Sequence, residues 1–134
     1  MSAARAVIDA AVRNAEELRA PATVAVVDAV GTLKAMVRMD GAPLVGVDLA
    51  RRKAVTCVIM GDRDTATLVD TIVKRPQMLA AITTLPDVVA LPGGLGLLED
   101  ELLIGAVGVS SPTGDLDIRI ANAAAAVLAH GSES

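Results

Sequence analysis

The stretch that decides the fold is Val24-Ala-Val-Val-Asp28-Ala-Val-Gly31-Thr-Leu33. It opens with an uninterrupted apolar run of strand length, and Gly31 then supplies the permissive backbone of a turn. After the turn, apolar residues alternate with a more polar set. The apolar set is Leu33, Ala35, Val37 and Met39, and the more polar set is Lys34, Met36, Arg38 and Asp40. This stretch therefore predicts a β-hairpin whose second strand carries Arg38 and Asp40 on one face.

Helical periodicity flanks the hairpin on both sides. Apolar residues recur at helical spacing before Pro21, between residues 47 and 58 ahead of Gly61, and between residues 120 and 128. These patterns predict three amphipathic helices. Residues 130–134 are predicted to form a frayed tail.

The middle of the chain predicts shorter elements. Asp64 is suited to cap one short helix, and Pro76 is suited to open another. Three short apolar runs then predict three further strands, at residues 88–91, 95–98 and 102–109.

The order of these elements predicts the fold class. Because the strands are grouped in hairpins, we expect an α/β fold, an α+β sandwich with a mainly antiparallel five-stranded sheet covered by helices. A chain of 134 residues can bury one core, so we expect a single domain over residues 1–134.

Composition narrows the classes of function. The net charge is −4 and the cations are scattered, so we expect no nucleic-acid partner. The chain has no Phe, Tyr or Trp, so its core must be aliphatic and no aromatic ring is available for ligand stacking. Cys57 is the one cysteine, which points to a cytoplasmic protein, and no signal peptide or membrane span is predicted.

Several motifs are distributed over nearly the whole chain: Val24 to Asp28, Arg38-Met-Asp-Gly-Ala42, Lys53-Ala54, Pro92-Gly-Gly94, Ile104 to Ser110, Asp117 and Ile120-Ala121. Together they resemble the GlcG/HbpS-like family, which includes the C-terminal domain of PduO-type proteins. The resemblance implies a mainly antiparallel five-stranded sheet in an α/β sandwich and assembly into homo-oligomers. It also implies binding or degradation of haem, redox sensing, or binding of corrinoid-related ligands. The sequence departs from the family pattern at Gly96, Glu101 and Ser111.

The best polar constellation is Arg38, Asp40 and Lys53. Arg38 could clamp a carboxylate-bearing ligand, while Asp40 or Lys53 could transfer a proton as a catalytic group. The alternative is a structural ion pair that anchors the strand to the following helix.

Two further segments are candidates for ligand binding. Gly93 and Gly94 could let a ligand approach the backbone, or could simply form a tight turn. Ser110 ends a strand before a helix and could bind an anion or serve as a structural hydroxyl. No metal site is predicted, since the adjacent carboxylates of residues 99–101 are typical of a solvated turn.

Haem is the most concrete ligand that the resemblance implies. Its iron takes His, Cys, Met or Tyr as axial ligand, and His130 is the one histidine. Cys57 and Met39 fall on inward-facing stripes and are expected to pack in the core. Arg38 or Lys53 could meet the propionates.

We therefore expect an intracellular, homo-oligomeric protein that binds a small molecule near Arg38, Asp40, Lys53, Gly93, Gly94 and Ser110, with haem or a related tetrapyrrole as one ligand. An enzyme acting on a small carboxylate or carbonyl metabolite is an alternative. A structural accessory protein without pocket chemistry is another.

Overall fold

The computed structural model describes residues 3–61 and 64–133, with side chains described as far as Leu128 in the last helix. The elements, in chain order, are α1 (Ala4–Glu17), β1 (Thr23–Asp28), β2 (Leu33–Arg38), α2 (Gly46–Met60), α3 (Thr65–Ile72), α4 (Pro76–Ile82), β3 (Gly94–Glu99), β4 (Leu102–Ser110) and α5 (Gly114–Glu133).

The strands form one antiparallel sheet in the order β2-β1-β4-β3. Val24 and Val26 pack in the main core with α1 and α5, whereas Val27 packs on the opposite face with α2. The sheet is therefore buried on both faces, which explains why β1 is apolar at successive positions. The predicted α+β fold, with an antiparallel sheet covered by helices, is confirmed.

Helix α2 lies very close to the centre of the sheet. A Cβ atom on Gly108 of β4 would overlap the carbonyl oxygen of Ala50, and it would lie 2.7 Å from the amide nitrogen of Ala54. The approach requires a glycine at position 108, below Ala50 and Ala54. The small residues thus allow α2 to pack closely on the sheet.

The predicted fifth strand is wrong, because residues 88–91 do not form a strand and the sheet within residues 3–61 and 64–133 has four strands. Side chains of α2 bind the backbone of this segment instead. The Arg52 guanidinium donates to the Val88 carbonyl at 2.8 Å, and the Val89 amide donates to the Thr56 hydroxyl at 2.9 Å. Once these groups are bound to α2, they no longer need a neighbouring strand.

A β-bulge changes the predicted pattern of β2. Val26 pairs with Ala35 while Val27 pairs with Leu33, so Lys34 is the extra residue. Residues paired across antiparallel strands share a face, and Leu33 therefore lies on the α2 side with Val27. The prediction that Leu33 shares a face with Ala35 is wrong for this reason.

Three predicted helix boundaries are confirmed. Gly61 ends α2 with φ +70°, Asp64 accepts a hydrogen bond from the Ala66 amide, and Pro76 opens α4. The predicted tail is wrong as far as Glu133, because α5 continues to that residue. Ser134 lies outside the described residues.

The turn between β3 and β4 consists of Asp100 and Glu101. Both residues have positive φ, 50° and 68° respectively. Two consecutive positive φ angles define the type I′ hairpin turn, in which Gly is strongly preferred at the second position. Glu101 therefore holds its side chain in a strained backbone conformation.

No helix in the described part of the chain combines the length and the apolar character that crossing a bilayer requires.

Candidate functional site

Lys53 is buried on the flank of α2 that faces β3 and α5, and it is only 3% exposed. Its ammonium donates to the Val109 carbonyl at 2.8 Å and to Asp117 Oδ2 at 2.9 Å. Asp117 is 4% exposed, so both charges of this ion pair are removed from water. The pair ties α2 to α5 across the end of β4.

The second carboxylate oxygen of Asp117 binds the loop after β4. It accepts a hydrogen bond from the Ser111 amide at 2.6 Å. Asp117 also lies in the first turn of α5, where the helix dipole favours a negative charge. Sequence reasoning did not assign Asp117 a role, although its spacing to the buried residues Ile120, Ala121 and Ala124 places it on the buried stripe of α5.

Gly93 and Gly94 lie directly against this ion pair. Gly93 has φ +112°, and a Cβ there would lie 2.7 Å from the Val109 oxygen. A Cβ on Gly94 would lie 2.5 Å from the Lys53 carbonyl oxygen. The Gly94 amide already donates to the Thr65 hydroxyl at 2.9 Å, so the close packing of the fold accounts for both glycines.

Ser110 is buried at the end of β4, below the first turn of α2. It pairs across the sheet with Thr23, which pairs in turn with Arg38 on β2. Gly46 of α2 passes over this row, with its Cβ position 3.1 Å from the Thr23 hydroxyl and 3.4 Å from the Ser110 Cβ. Only the Arg38 end of the row is exposed.

The structure does not bring Arg38 and Asp40 to Lys53. Arg38 lies on the edge strand β2, two strands away from β4, and Lys53 pairs with Asp117 instead. Arg38 Nε donates to the Ala42 carbonyl at 3.1 Å, while Asp40 is exposed in the turn that follows. The predicted constellation is thus divided between a buried ion pair and an exposed strand end.

The α2-side face of β2 presents Leu33, Met36 and Arg38, and we call these three residues the open face. Met36 pairs with Ala25 and Arg38 with Thr23, which places both on the side of the sheet that carries α2. Leu33 is 44% exposed, Met36 is half-buried and Arg38 is exposed. An exposed cation beside apolar side chains is an arrangement that can hold an amphipathic anion.

Arg38 differs from the cations of α2 in lacking an acidic partner among the described residues. Arg51 binds Asp87 at 2.7 Å, and this hydrogen bond raises the pKa of Arg51. Arg52 lies 3.4 Å from Asp48. Within residues 3–61 and 64–133, no carboxylate lies within 4.0 Å of the Arg38 guanidinium.

The described part of the surface includes a narrow cleft and a wider, open concavity. A cleft of about 10 Å³, room for a single water molecule, is lined by Asp64, Gly93, Gly94, Leu95, Ile118, Ala121 and Asn122. This is smaller than the roughly 300–1,000 Å³ of typical ligand pockets. An open concavity of about 1060 Å³, partly bulk solvent, is lined by Arg75, Pro76, Gln77, Met78 and Ala81, and we call it the α4 concavity.

The remaining candidate ligands of iron are divided between the core and the surface. Cys57 is buried with Val27 and Ala106, and Met39 packs against the main core, as predicted. Met78 is 41% exposed in the α4 concavity. The side chain of His130 lies outside the described residues, and the described residues contain no group of three or more His, Cys, Asp or Glu side chains placed to hold a metal ion.

Known proteins resemble this chain in both sequence and structure. The corrinoid adenosyltransferase PduO of Citrobacter freundii is 39% identical over an alignment of 124 residues that covers 89% of this chain and 36% of that protein. The PduO of Salmonella typhimurium is 37% identical over 126 residues. The chain thus spans about a third of the length of the curated relatives it matches.

Solved structures share the fold along most of their length. The haem complex of PduOC is 36% identical, with a TM-score of 0.82 over 90% of this chain and 87% of that one. A double mutant of HbpS from Streptomyces reticuli is 34% identical, with a TM-score of 0.85 over 95% of this chain and 84% of that one. The model of the family described as haem degrading protein HbpS-like matches residues 1–126, and the chain belongs to this HbpS-like family.

Proposed function

We propose that this chain binds a small anionic molecule, haem or a related tetrapyrrole, on the open face of β2. The observation that carries the proposal is the likeness to PduOC, a relative whose structure was solved as a haem complex. Shared family membership supports a shared ligand class, while the residues that would contact the ligand must be found in this chain.

The open face matches the chemistry of haem in three respects. Haem has an apolar ring, anionic propionates and an iron atom that accepts a thioether ligand. Leu33 offers apolar contact, Arg38 offers a guanidinium without an acidic partner among the described residues, and Met36 offers a sulfur atom between them on the same face. When bound, haem iron supplies one-electron redox chemistry.

Lys53, Gly93, Gly94 and Ser110 have a different role in this proposal. Both groups that the Lys53 ammonium binds belong to the protein, and its side chain is almost fully buried. These four residues support the ligand site by fixing α2 against the sheet and do not touch the ligand. Asp40 stays a candidate for proton transfer near the ligand, because it is exposed just beyond Arg38.

Haemin titration of the apoprotein tests the proposal. We expect a saturable Soret shift with one site per chain, and we expect Met36→Leu to change the Soret position and weaken binding by about tenfold or more. Loss of one good ligand contact of about 1.4 kcal/mol corresponds to that factor. Absence of saturation in the wild-type protein would refute haem binding.

Two matched variants identify the ligating side chain. Met78→Leu removes the exposed thioether of the α4 concavity, and His130→Ala removes the one imidazole; both are expected to bind haemin like the wild type. If either variant loses the Soret shift while Met36→Leu keeps it, the site is not the open face. A corrinoid titrated in parallel shows which macrocycle binds more tightly, and we expect haem.

The cytoplasmic location stays part of the proposal and rests on the sparse use of cysteine.

A further inference from the structure

We propose that a carboxylate of the ligand binds between Arg38 and the first turn of α2, where the buried hydroxyl of Thr23 is a further hydrogen-bond partner. Thr23, Arg38 and the amides of Leu44 and Val45 form what we call the carboxylate subsite. The ligand is the one of the proposed function, on which this assignment rests. The subsite makes a free carboxylate a requirement for tight binding.

The hydroxyl of Thr23 is buried and lacks a hydrogen-bond partner. Thr23 is 0% exposed at the start of β1, and among the described residues nothing donates to or accepts from its Oγ1 atom. A buried hydroxyl without a partner destabilises a fold, whereas an apolar group of the same shape does not. The hydroxyl therefore points to a partner that comes from outside the chain.

This hydroxyl faces the first turn of α2. A Cβ atom on Gly46 would lie 3.1 Å from the Thr23 Oγ1 atom. Thr23 also pairs with Arg38 on β2, and such cross-strand neighbours have Cβ atoms about 4.5–5.5 Å apart on one face. A ligand oxygen that enters from the exposed Arg38 end therefore reaches Thr23 next. Because Gly46 covers the hydroxyl, binding has to move the first turn of α2 outward.

The first turn of α2 offers unpaired amides at the same place. The helix has 15 residues and no side-chain cap at its N-terminus. The Gly46 amide already donates to the Pro43 carbonyl, but within the described ranges the amides of Leu44 and Val45 donate to no backbone acceptor. Unpaired amides at the start of a helix bind anions, and the helix dipole adds to the attraction.

Arg38 supplies the positive charge in a fixed orientation. Its Nε atom donates to the Ala42 carbonyl at 3.1 Å, which holds the guanidinium beside the segment that leads into α2. In the part of the chain that the structure describes, the two Nη atoms have no carboxylate within 4.0 Å. Two parallel N–H groups match the two oxygens of a carboxylate.

The charges around the subsite favour a carboxylate over a doubly charged phosphate. Arg38 is one cation, and the hydroxyl and the amides are neutral donors, so a single negative charge is balanced. Asp48 in the first turn of α2 lies 3.6 Å from Arg51 and 3.4 Å from Arg52, which offset its charge. Asp40 is exposed beyond Arg38, where water screens it.

Sodium propionate is a direct probe of the subsite, and propionamide is its uncharged control. In amide correlation spectra of the ¹⁵N-labelled apoprotein, we expect propionate to cause saturable shifts at Thr23, Leu44 and Gly46. Propionamide should cause none, because it lacks the charge that Arg38 binds. No saturable shift at these amides, or equal shifts with propionamide, would overturn the subsite.

Thr23→Val separates a binding role of the hydroxyl from a structural one. The substitution removes the hydroxyl and keeps the branched shape, so we expect haemin to bind about 5–10-fold more weakly and stability to be no lower than in the wild type. Thr71→Val is the matched control, because it removes an exposed hydroxyl on α3 that donates to the Thr67 carbonyl. A Thr23→Val protein that loses stability but no affinity would show that the hydroxyl is structural.

Haemin with both propionates converted to amides distinguishes the subsite from the proposed function. The wild type should bind this diamide about tenfold or more weakly than haemin. Equal binding of the two macrocycles would refute the subsite and leave haem binding intact. If neither macrocycle binds while propionate still shifts the three amides, the proposed function fails and the subsite holds a smaller carboxylate.

Discussion

Lys53 and Arg38 are both cations beside the same sheet, but the fold surrounds them in opposite ways. Lys53 lies under α2 with Asp117, the Val109 carbonyl and two glycines against it. Arg38 lies on an edge strand with one backbone carbonyl as its hydrogen-bond partner and no carboxylate nearby among the described residues. We call these the closed region and the open region.

This difference means that Lys53 serves the stability of the fold, whereas Arg38 is available for binding. A buried charge whose partners are all protein groups holds elements together, and removing one partner leaves the other charge stranded. An exposed cation without an acidic partner contributes little to stability and can meet an incoming anion. Variants in the closed region should therefore change folding, and variants in the open region should change binding.

The largest effect should come from breaking the buried ion pair. Lys53→Met leaves the Asp117 carboxylate buried without its cation, and we expect a loss of about 3–5 kcal/mol in the free energy of unfolding. Urea denaturation measures this loss. The double variant Lys53→Met with Asp117→Leu should recover most of this loss. If Lys53→Met alone loses less than about 1 kcal/mol, the buried ion pair does not hold the closed region together.

A slightly smaller effect is expected where α2 meets the sheet. Gly108→Ala introduces a Cβ atom that overlaps the Ala50 carbonyl, so α2 must move away from β4. We expect a loss of about 3 kcal/mol in unfolding free energy, at the upper end for overpacking. Gly114→Ala is the matched control, because the nearest atom there is a Pro92 ring carbon at 3.2 Å, and its effect should stay within about 1 kcal/mol. Equal effects of the two substitutions would be evidence against a tight α2–sheet contact.

A gain in stability is expected at the tip of the other hairpin. Glu101→Gly relieves a positive φ of 68° and should raise the free energy of unfolding by about 0.5–1 kcal/mol. Thermal unfolding at low protein concentration measures the effect. Glu101→Ala removes the same charge but keeps a Cβ at positive φ, so it should bring no such gain. If both variants gain equally, charge and not backbone strain is the cause.

The smallest effect concerns the turn beside the open region. Asp28 accepts hydrogen bonds from the Thr32 and Val30 amides, and these bonds lower the pKa of its carboxyl. Because the folded pKa is depressed, the contribution of Asp28 is present at neutral pH and is lost as the pH falls below its ordinary pKa of 3.8. Asp28→Ala should therefore be slightly less stable than the wild type at neutral pH, and the difference should close in acid.

Asp28→Asn is the control for this pH dependence. It keeps a side-chain acceptor for the turn but cannot ionise, so its stability relative to Asp28→Ala should not change with pH. Unfolding midpoints of all three proteins across the acid range measure this. If the difference in stability between the wild type and Asp28→Ala grows in acid, the pH dependence has the opposite sign to the one expected.

Much of the fold was predictable because its signals are local. The apolar run of β1, the stop at Gly61 and the cap at Asp64 each depend on neighbouring residues, and each is confirmed. Residues 88–91 show where local signals fail. A short apolar run predicts a strand, but long-range hydrogen bonds with the side chains of Arg52 and Thr56 decide whether it pairs.

The candidate site was less predictable because it depends on long-range partners. Closeness in sequence suggested that Lys53 would meet Arg38 and Asp40, yet its position on the helix turns it towards Asp117, far along the chain. The bulge at Lys34 was also invisible in the alternating pattern of β2, since a single extra residue changes the face on which Leu33 lies.

The most direct test of the open region is haemin affinity in two arginine variants. Arg38→Gln removes the cation of the open face, and Arg13→Gln removes an exposed cation of α1 on the other side of the sheet. We expect Arg38→Gln to bind haemin about 3–10-fold more weakly, with unfolding free energy within about 0.5 kcal/mol of the wild type, while Arg13→Gln binds like the wild type. Equal affinities in the two variants would contradict the assignment of the ligand to this face.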